Sequence, residues 1–260
     1  MFKVKDIVSY FEKICPFSLC EEWDNTGLLI GDENAEVTRI LVCLDVDEFV
    51  AREAADKKCE LIVSHHPVIF HPLKKIRANS CEGILIKNGI SVVSAHTNLD
   101  VANGGLNDYF AEKLGLANTE ILVPTGEVDG KTVGYGRFAK LKNPEKLIDI
   151  AKKCAEILGA ENLRYMGDDD RIIEKIAVNS GGGASMADAC FDKNIGLYIS
   201  GDFKYSNMRD CAQRGLCVID AGHYETEHIV CEWFEKVLSK QFDAEIIKSE
   251  KNTNVIKYLH

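Results

Sequence analysis

Three short apolar runs in the chain each end within four residues of a following histidine. Runs rich in β-branched residues are typical of buried strands. In a parallel α/β sheet, ligands bind beyond the carboxyl ends of the strands, so this pattern predicts a functional site there. The runs and the histidines that follow them are 61–63 before His65 and His66, 90–95 before His96, and 216–219 before His223.

The remaining pattern alternates between strands and helices. Alternation of this kind favours an α/β architecture. The sequence predicts two α/β lobes with mixed sheets flanked by helices, and a metal site at strand ends between the lobes. A boundary near 123–126, which contains Pro124 and Gly126, divides the chain into a discontinuous metal-binding lobe and an inserted second lobe. The predicted ranges are 1–124 plus 217–260 for the first lobe and 125–216 for the second. Predicted helices include 144–158 and 224–238.

The residues after these runs carry groups that bind metal ions. His96 and Asp100 lie at the carboxyl end of a predicted strand. Glu227 follows His223 by four residues at the start of a predicted helix, so these two residues share one face of that helix. Imidazole and carboxylate ligands suit Zn, Mn or Fe better than a thiolate site would. The competing interpretation of His65 and His66 is a pair of exposed turn histidines. Six candidate groups are more than one tetrahedral ion needs, which predicts two divalent ions per chain.

Several motifs, taken together and in this order, resemble the NIF-three-like family, whose members are known as type two GTP cyclohydrolase homologues. The resemblance covers nearly the whole chain and implies a dinuclear metal site, a ring-shaped homohexamer and hydrolytic ring opening of GTP. It further implies that the metal ligands are His65, His66, Asp100, His223 and Glu227. The motifs are Glu-Trp-Asp-Asn-Thr-Gly-Leu at 22–28, Ser-His-His-Pro-x-x-Phe at 64–70, His-Thr-Asn-Leu-Asp at 96–100, Ser-Gly-Asp-Phe-Lys-Tyr at 200–205 and Ala-Gly-His-Tyr-x-Thr-Glu at 221–227.

The amino-acid composition and charge limit the class of protein and the kinds of partner that it can bind. The chain has 260 residues, 46% of them hydrophobic, which is enough for a sizeable core. A formal charge of −10 argues against nucleic acid and anionic membranes as partners. No apolar run approaches the ~20 residues that span a bilayer, and the first residues lack the apolar region of a signal peptide. These features predict a cytoplasmic protein. The ten cysteines form no Cys-x-x-Cys pair and are interpreted as reduced core residues.

Three classes of function fit this site, and the third is a structural oligomer in which the metal ions only tie strand ends together. The first is a metal-dependent hydrolase that acts on a nucleotide or phosphoester, with His96 as the catalytic residue, either as a general base or as a group that orients Asp100. A structural role for His96 is the alternative. The second class is a metal-handling or partner-binding oligomer without turnover. The glycines at 181–183 lie between a predicted strand and a predicted helix, where a phosphate could bind, but their spacing fits neither the dinucleotide-binding fingerprint nor the P-loop. Trp23 is interpreted as a core residue, and the resemblance makes its loop a candidate wall of the site.

Overall fold

The computed structural model describes residues 2–259, which form two compact units. The first unit joins the chain up to Ala102 with Val230–Lys257, and the second joins Asn103–Ile229 with the residues from Tyr258 onward. Each unit contains its own central sheet. The strands are β1 (Phe2–Lys3), β2 (Gly27–Ile30), β3 (Glu36–Val37), β4 (Arg39–Cys43), β5 (Leu61–Ser64), β6 (Ser91–Ser94), β7 (Glu120–Val128), β8 (Lys131–Lys146), β9 (Arg164–Met166), β10 (Ile172–Val178), β11 (Leu197–Ser200), β12 (Cys217–Asp220) and β13 (Glu245–Lys248).

Helices flank both sheets, which confirms the predicted fold class of two α/β lobes with mixed sheets. The α-helices are α1 (Val4–Ile14), α2 (Glu48–Asp56), α3 (Cys81–Asn88), α4 (Thr97–Val101), α5 (Leu106–Lys113), α6 (Leu147–Leu158), α7 (Asp188–Asp192), α8 (Tyr205–Gln213), α9 (His223–His228) and α10 (Val230–Gln241), with 3-10 turns at Phe17–Leu19 and Ala184–Met186.

The sheet of the first unit has five strands in the order β13-β4-β5-β6-β2, and only β2 is antiparallel to its neighbour. Ser64 pairs with Cys43 on one side and Ser94 on the other, so the carboxyl ends of β4, β5 and β6 are level. The core contains fully buried apolar residues such as Leu41, Ile62 and Val92. This alignment brings the residues that follow three different strands to one edge.

The sheet of the second unit repeats the arrangement in a six-stranded form. Its order is β7-β8-β10-β11-β12-β9, and β10, β11 and β12 are parallel neighbours. Ser200 pairs with Asp220, and Val178 pairs with Ile199, so these three strands also end nearly level. Tyr198 is fully buried in the core of this unit.

Two predicted helices differ from the structure. The helix predicted for 144–158 begins only at Leu147, because Glu145 and Lys146 remain extended and pair with β10. The helix predicted for 224–238 is divided into α9 and α10.

The compact units also do not follow the predicted ranges 1–124 plus 217–260 and 125–216. The boundary predicted near 123–126 lies inside β7, where Val123 and Pro124 pair with β8. Helix α5 packs against β8 and β10, so it belongs to the second unit. His223 and Glu227 also belong to that unit. Met1 and His260 fall within the predicted ranges but lie outside the described residues.

Each helix within residues 2–259 is too short or too polar to cross a membrane. The ten cysteines are free, and eight of them are buried, as expected for reduced core residues.

Candidate metal centre

His65 and His66 leave the end of β5 with their rings oriented by different acceptors. His65 is fully buried, and its Nδ1 lies 2.8 Å from the carbonyl oxygen of Ala95. A carbonyl can only accept a hydrogen bond, so Nδ1 carries the hydrogen and Nε2 keeps its lone pair. The Nδ1 atom of His66 lies 2.6 Å from Oδ1 of Asp45, which follows β4. A carboxylate oxygen that accepts this hydrogen bond selects the same tautomer, so Nε2 of His66 again keeps its lone pair.

His96 follows β6 and is held in the same manner. Its Nδ1 lies 2.8 Å from Oδ1 of Asp24, and Oδ2 of Asp24 accepts from the Thr97 hydroxyl at 2.5 Å and from the Thr97 amide at 3.1 Å. Burial acts to raise the pKa of Asp24, but the hydrogen bonds from His96 and Thr97 outweigh it and lower the pKa to about 2. Asp24 is therefore an ionised acceptor at neutral pH, which fixes the ring of His96.

The three imidazoles of the first unit form one group, called here the histidine cluster (His65, His66 and His96). Their ring centroids lie 5.1–5.3 Å apart, and one nitrogen from each falls within 4.8 Å of the others. Asp100, on α4, places Oδ1 3.7 Å from Nε2 of His65. Imidazole nitrogens and a carboxylate at this spacing are a donor set that fits a divalent transition metal.

The second unit supplies one imidazole and one carboxylate from the same helix. His223 and Glu227 are one turn apart on α9, with Nε2 3.0 Å from Oε2. The Nδ1 atom of His223 lies 2.7 Å from Oδ2 of Asp202, which follows β11. The hydrogen bond with Glu227 is the main cause that raises the pKa of His223 to about 9, against the opposing effect of burial, and Asp202 adds to it.

The glycine loop after β10 packs directly against this pair. Gly181 has a φ of +63°, and a Cβ atom there would lie 2.1 Å from Oε1 of Glu227 and 3.3 Å from Nε2 of His223. Two hydrogen bonds hold the loop in place. The amide of Gly181 donates to the Thr226 hydroxyl at 2.9 Å, and the carbonyl of Gly181 accepts from the amide of Gly201 at 2.8 Å. The close approach of Gly181 to Glu227 accounts for a glycine at this position without any need for a bound phosphate.

The structure thus places His65, His66, His96 and Asp100 together in the first unit, and His223 with Glu227 in the second. The assignment of five of them as ligands and of His96 as catalytic stays a prediction. The sequence did not show which carboxylates hold the rings. They are Asp24, Asp45 and Asp202.

One aromatic neighbour of the cluster, Trp23, is more exposed than the sequence suggested. The interpretation of Trp23 as a core residue is wrong, because 59% of it is exposed. Its ring lies 6.1 Å from that of His96 and 5.9 Å from that of Phe70, measured between centroids. The loop around Trp23 is held by Asp24 and by Asn25, whose Nδ2 donates to the carbonyl of Ile69 at 2.6 Å. Trp23 is therefore a fixed surface residue beside the cluster.

Comparison with known proteins identifies the family. The family model described as Duf34/NIF3 (NGG1p interacting factor 3) matches residues 2–255. The chain belongs to the DUF34/NIF3 family. A Clostridium perfringens protein named GTP cyclohydrolase 1 type 2 homolog is 35% identical over 263 residues, covering 99% of this chain and all of the relative.

Solved structures of DUF34/NIF3 relatives share the fold. A Bacillus cereus protein described as related to NIF3 matches with a TM-score of 0.87 at 26% identity, covering 99% of both chains. A Staphylococcus aureus hypothetical protein matches with the same TM-score at 28% identity and the same coverage. These matches confirm the resemblance seen in the motifs and the mixed α/β architecture.

Proposed function

We propose that this DUF34/NIF3 protein binds two divalent metal ions through His65, His66, Asp100, His223 and Glu227, and that it is a metal-dependent hydrolase of nucleotides. The observation that carries the proposal is that each candidate imidazole has its Nδ1 atom on an oxygen acceptor. The acceptors are the Ala95 carbonyl and the carboxylates of Asp45, Asp24 and Asp202. Metal-binding histidines typically show this arrangement, because it fixes the ring and makes Nε2 a better ligand.

The carboxylates complete a donor set for transition-metal ions. Asp100 and Glu227 are both buried, at 8% and 4% exposure, and each carboxylate lies beside a candidate imidazole, His65 for Asp100 and His223 for Glu227. Nitrogen and oxygen donors accept Zn, Mn or Fe, and all three remain candidates for the native metal. When bound, a pair of such ions lowers the pKa of coordinated water towards neutrality.

His96 has the surroundings of a general base. Its Nε2 is the atom that would take a proton, because Nδ1 is engaged by Asp24. The charge of Asp24 stabilises the imidazolium that forms, as the carboxylate does in catalytic triads. Thr97 holds Asp24 in place through two hydrogen bonds. His96 would therefore accept the proton of the nucleophilic water at Nε2 and return it to the leaving group.

The aromatic pair beside His96 favours a nucleotide among the phosphoesters. Trp23 and Phe70 are 59% and 41% exposed, and their faces offer a surface on which a planar base stacks. Lys74 and Lys75 are exposed on the loop that carries Phe70 and are available to an anionic ligand. The name of the Clostridium perfringens relative, GTP cyclohydrolase 1 type 2 homolog, points to the same substrate class.

The second candidate is a metal-handling or partner-binding oligomer without turnover. The same ligands would then store or deliver an ion, and coordination closed to water would favour this role, since catalytic sites keep an open position. Both candidates bind metal, so metal content after purification does not distinguish them. A measurement of substrate turnover does distinguish them.

The deciding experiment measures metal content and then hydrolysis of nucleotides, GTP included, and of simple phosphoesters with added Mn, Zn or Fe. Glu227→Gln keeps the shape of the side chain but removes its charge, so it is expected to lose at least one ion and the turnover, with circular dichroism unchanged. Glu225→Gln, on the same helix, is the matched control. Two bound ions without hydrolysis of any substrate would favour the non-catalytic candidate, and a metal-free protein would exclude both.

The hexamer and the cytoplasmic location are proposed from the resemblance and the composition. Light scattering is expected to give about six times the chain mass of 28.9 kDa. A mass equal to one chain would refute the oligomer.

A further inference from the structure

The segment that follows β13 reaches the acceptor of His66. The Thr253 hydroxyl donates to Oδ2 of Asp45 at 2.7 Å, and Oδ1 of the same carboxylate accepts from Nδ1 of His66 at 2.6 Å. Asp45 thus connects a residue near the end of the chain to an imidazole of the histidine cluster. The three residues belong to the same compact unit.

This segment is anchored on its way to Asp45. The Ser249 amide donates to the carbonyl of Val42 at 2.9 Å, which continues the pairing of β13 with β4. The Ser249 hydroxyl and the Glu250 amide both donate to the carboxylate of Glu53, at 2.6 and 2.9 Å. Glu53 is 5% exposed and is also paired with Lys57 at 2.7 Å. A buried, fully engaged carboxylate is a rigid attachment point, so Ser249 and Glu250 are fixed relative to the sheet, and Thr253 is attached through Asp45.

His66 is the member of the cluster that needs such support. His65 is held by the main-chain carbonyl of Ala95, which the adjoining sheet fixes. His66 is held by a side chain, and the Asp45 side chain is 37% exposed, so its carboxylate can rotate towards solvent. A second hydrogen bond, to the other oxygen, restricts that rotation. The donor of this bond is Thr253.

We propose that residues 249–253 form a positioning strap for His66, with Thr253 as the positioning residue that acts through Asp45. The strap holds the Asp45 carboxylate, the carboxylate holds Nδ1–H of His66, and Nε2 then points in a single direction. The orientation of His66 follows from these contacts alone. Its effect on metal affinity rests on the proposed function.

The test compares three variants of the full chain. Thr253→Val removes the hydroxyl with little change of shape, and Thr253→Ser restores it. Thr38→Val is the matched control, because the Thr38 hydroxyl also donates to a carboxylate, that of Glu60 at 3.0 Å, in the same unit. The first readout is the solvent-exchange rate of the His66 Nδ1 proton in the metal-free protein, measured by NMR with labelled histidine. The second is Zn²⁺ affinity by competition with a chromogenic chelator.

Thr253→Val is expected to speed exchange of the His66 Nδ1 proton several-fold and to weaken Zn²⁺ binding by about 10-fold, the lower end of the range for outer partners of metal-binding histidines. Thr253→Ser and Thr38→Val are expected to match the wild type in both readouts. Faster exchange in Thr253→Val would support the strap even if the wild type bound no Zn²⁺, a result that would refute only the proposed function. Unchanged exchange in Thr253→Val would overturn the strap, and so would an equal change in Thr38→Val.

Discussion

The Oδ2 atom of Asp202 lies 2.7 Å from Nδ1 of His223, and Asp202 holds it there from a left-handed backbone conformation with a φ of +60°. A residue with a side chain adopts this conformation at a cost, which the surrounding structure must offset. Asp202 follows β11 at the level where β12 leads into α9, so the turn at Asp202 is what aims the carboxylate at His223.

Asp202→Asn is expected to weaken metal binding without unfolding the second unit. Asparagine tolerates the left-handed conformation, so the backbone is unaffected, but the neutral amide is a poorer acceptor for the His223 ring. The expected loss of affinity is about 10–100-fold. Asp129→Asn is the control, because Asp129 also has a left-handed backbone, with a φ of +51°, at the turn between β7 and β8. Calorimetric Zn²⁺ titration of both variants checks this, and equal affinities would contradict it.

Gly181→Ala is expected to displace the Glu227 carboxylate. The added Cβ would lie 2.1 Å from Oε1 of Glu227, and the left-handed backbone adds strain. Gly130→Ala provides the comparison, because Gly130 has a φ of +71° with open space around it, so only the strain of about 1–2 kcal/mol applies. Urea denaturation is expected to show a larger loss of stability for Gly181→Ala, accompanied by a loss of bound metal. A metal content equal to that of Gly130→Ala would show that Glu227 is not needed at its present position.

His66→Ala is expected to reduce metal content, and His71→Ala is expected to leave it unchanged. His66 belongs to the histidine cluster, whereas His71 is exposed on the loop beyond it. Elemental analysis of the two purified variants, saturated with the same metal, measures the difference. Equal losses would mean that the ligand assignment at the end of β5 is wrong.

Asp24→Asn is expected to destabilise the metal-free protein by about 1–3 kcal/mol at pH 7, because hydrogen bonds to a charged acceptor are lost. The pKa of Asp24 is depressed to about 2, so its contribution is complete above the unfolded value of about 3.9 and is lost as the pH falls through 2. The stability gap between wild type and variant should therefore narrow below about pH 4.

Urea denaturation at a series of pH values measures that gap, with Asp170→Asn as a control in an exposed ion pair with Lys146. A gap that does not narrow below about pH 4 would show that another group controls the effect.

The sequence allowed the positions of the candidate ligands to be predicted because their signal is local. Strands β5 and β12 each end one residue after the apolar run ends, and His223 and Glu227 share a helix turn, as the four-residue spacing indicated. The acceptors have no such signal. Asp24 precedes His96 by 72 residues, and the other two carboxylates precede their histidines by 21. Separations of this kind carry no periodic pattern, so only the folded chain shows which carboxylate meets which ring.

The two acidic residues after β4 show how far a role can be assigned from the sequence alone. From sequence, Asp45 and Asp47 fit either a metal-related role or a helix cap. In the structure the two roles are divided, because Asp47 caps α2 through the amides of Phe49 and Val50 while Asp45 holds His66. One intervening residue separates the two functions, and neither the residue type nor the spacing distinguishes them.

Strand β13 is synthesised long after the strand with which it pairs. It pairs with β4, and Glu245 lies 206 residues after Arg39 in the chain. At a synthesis rate of ~5–20 residues per second, β4 leaves the ribosome about 10–40 s before its edge partner. Throughout that interval β4 presents an unpaired edge, the feature of a nascent sheet that most readily joins other chains. Asn103–Ile229 emerges complete before β13 does, so the second unit can fold while the first still waits for its last strand.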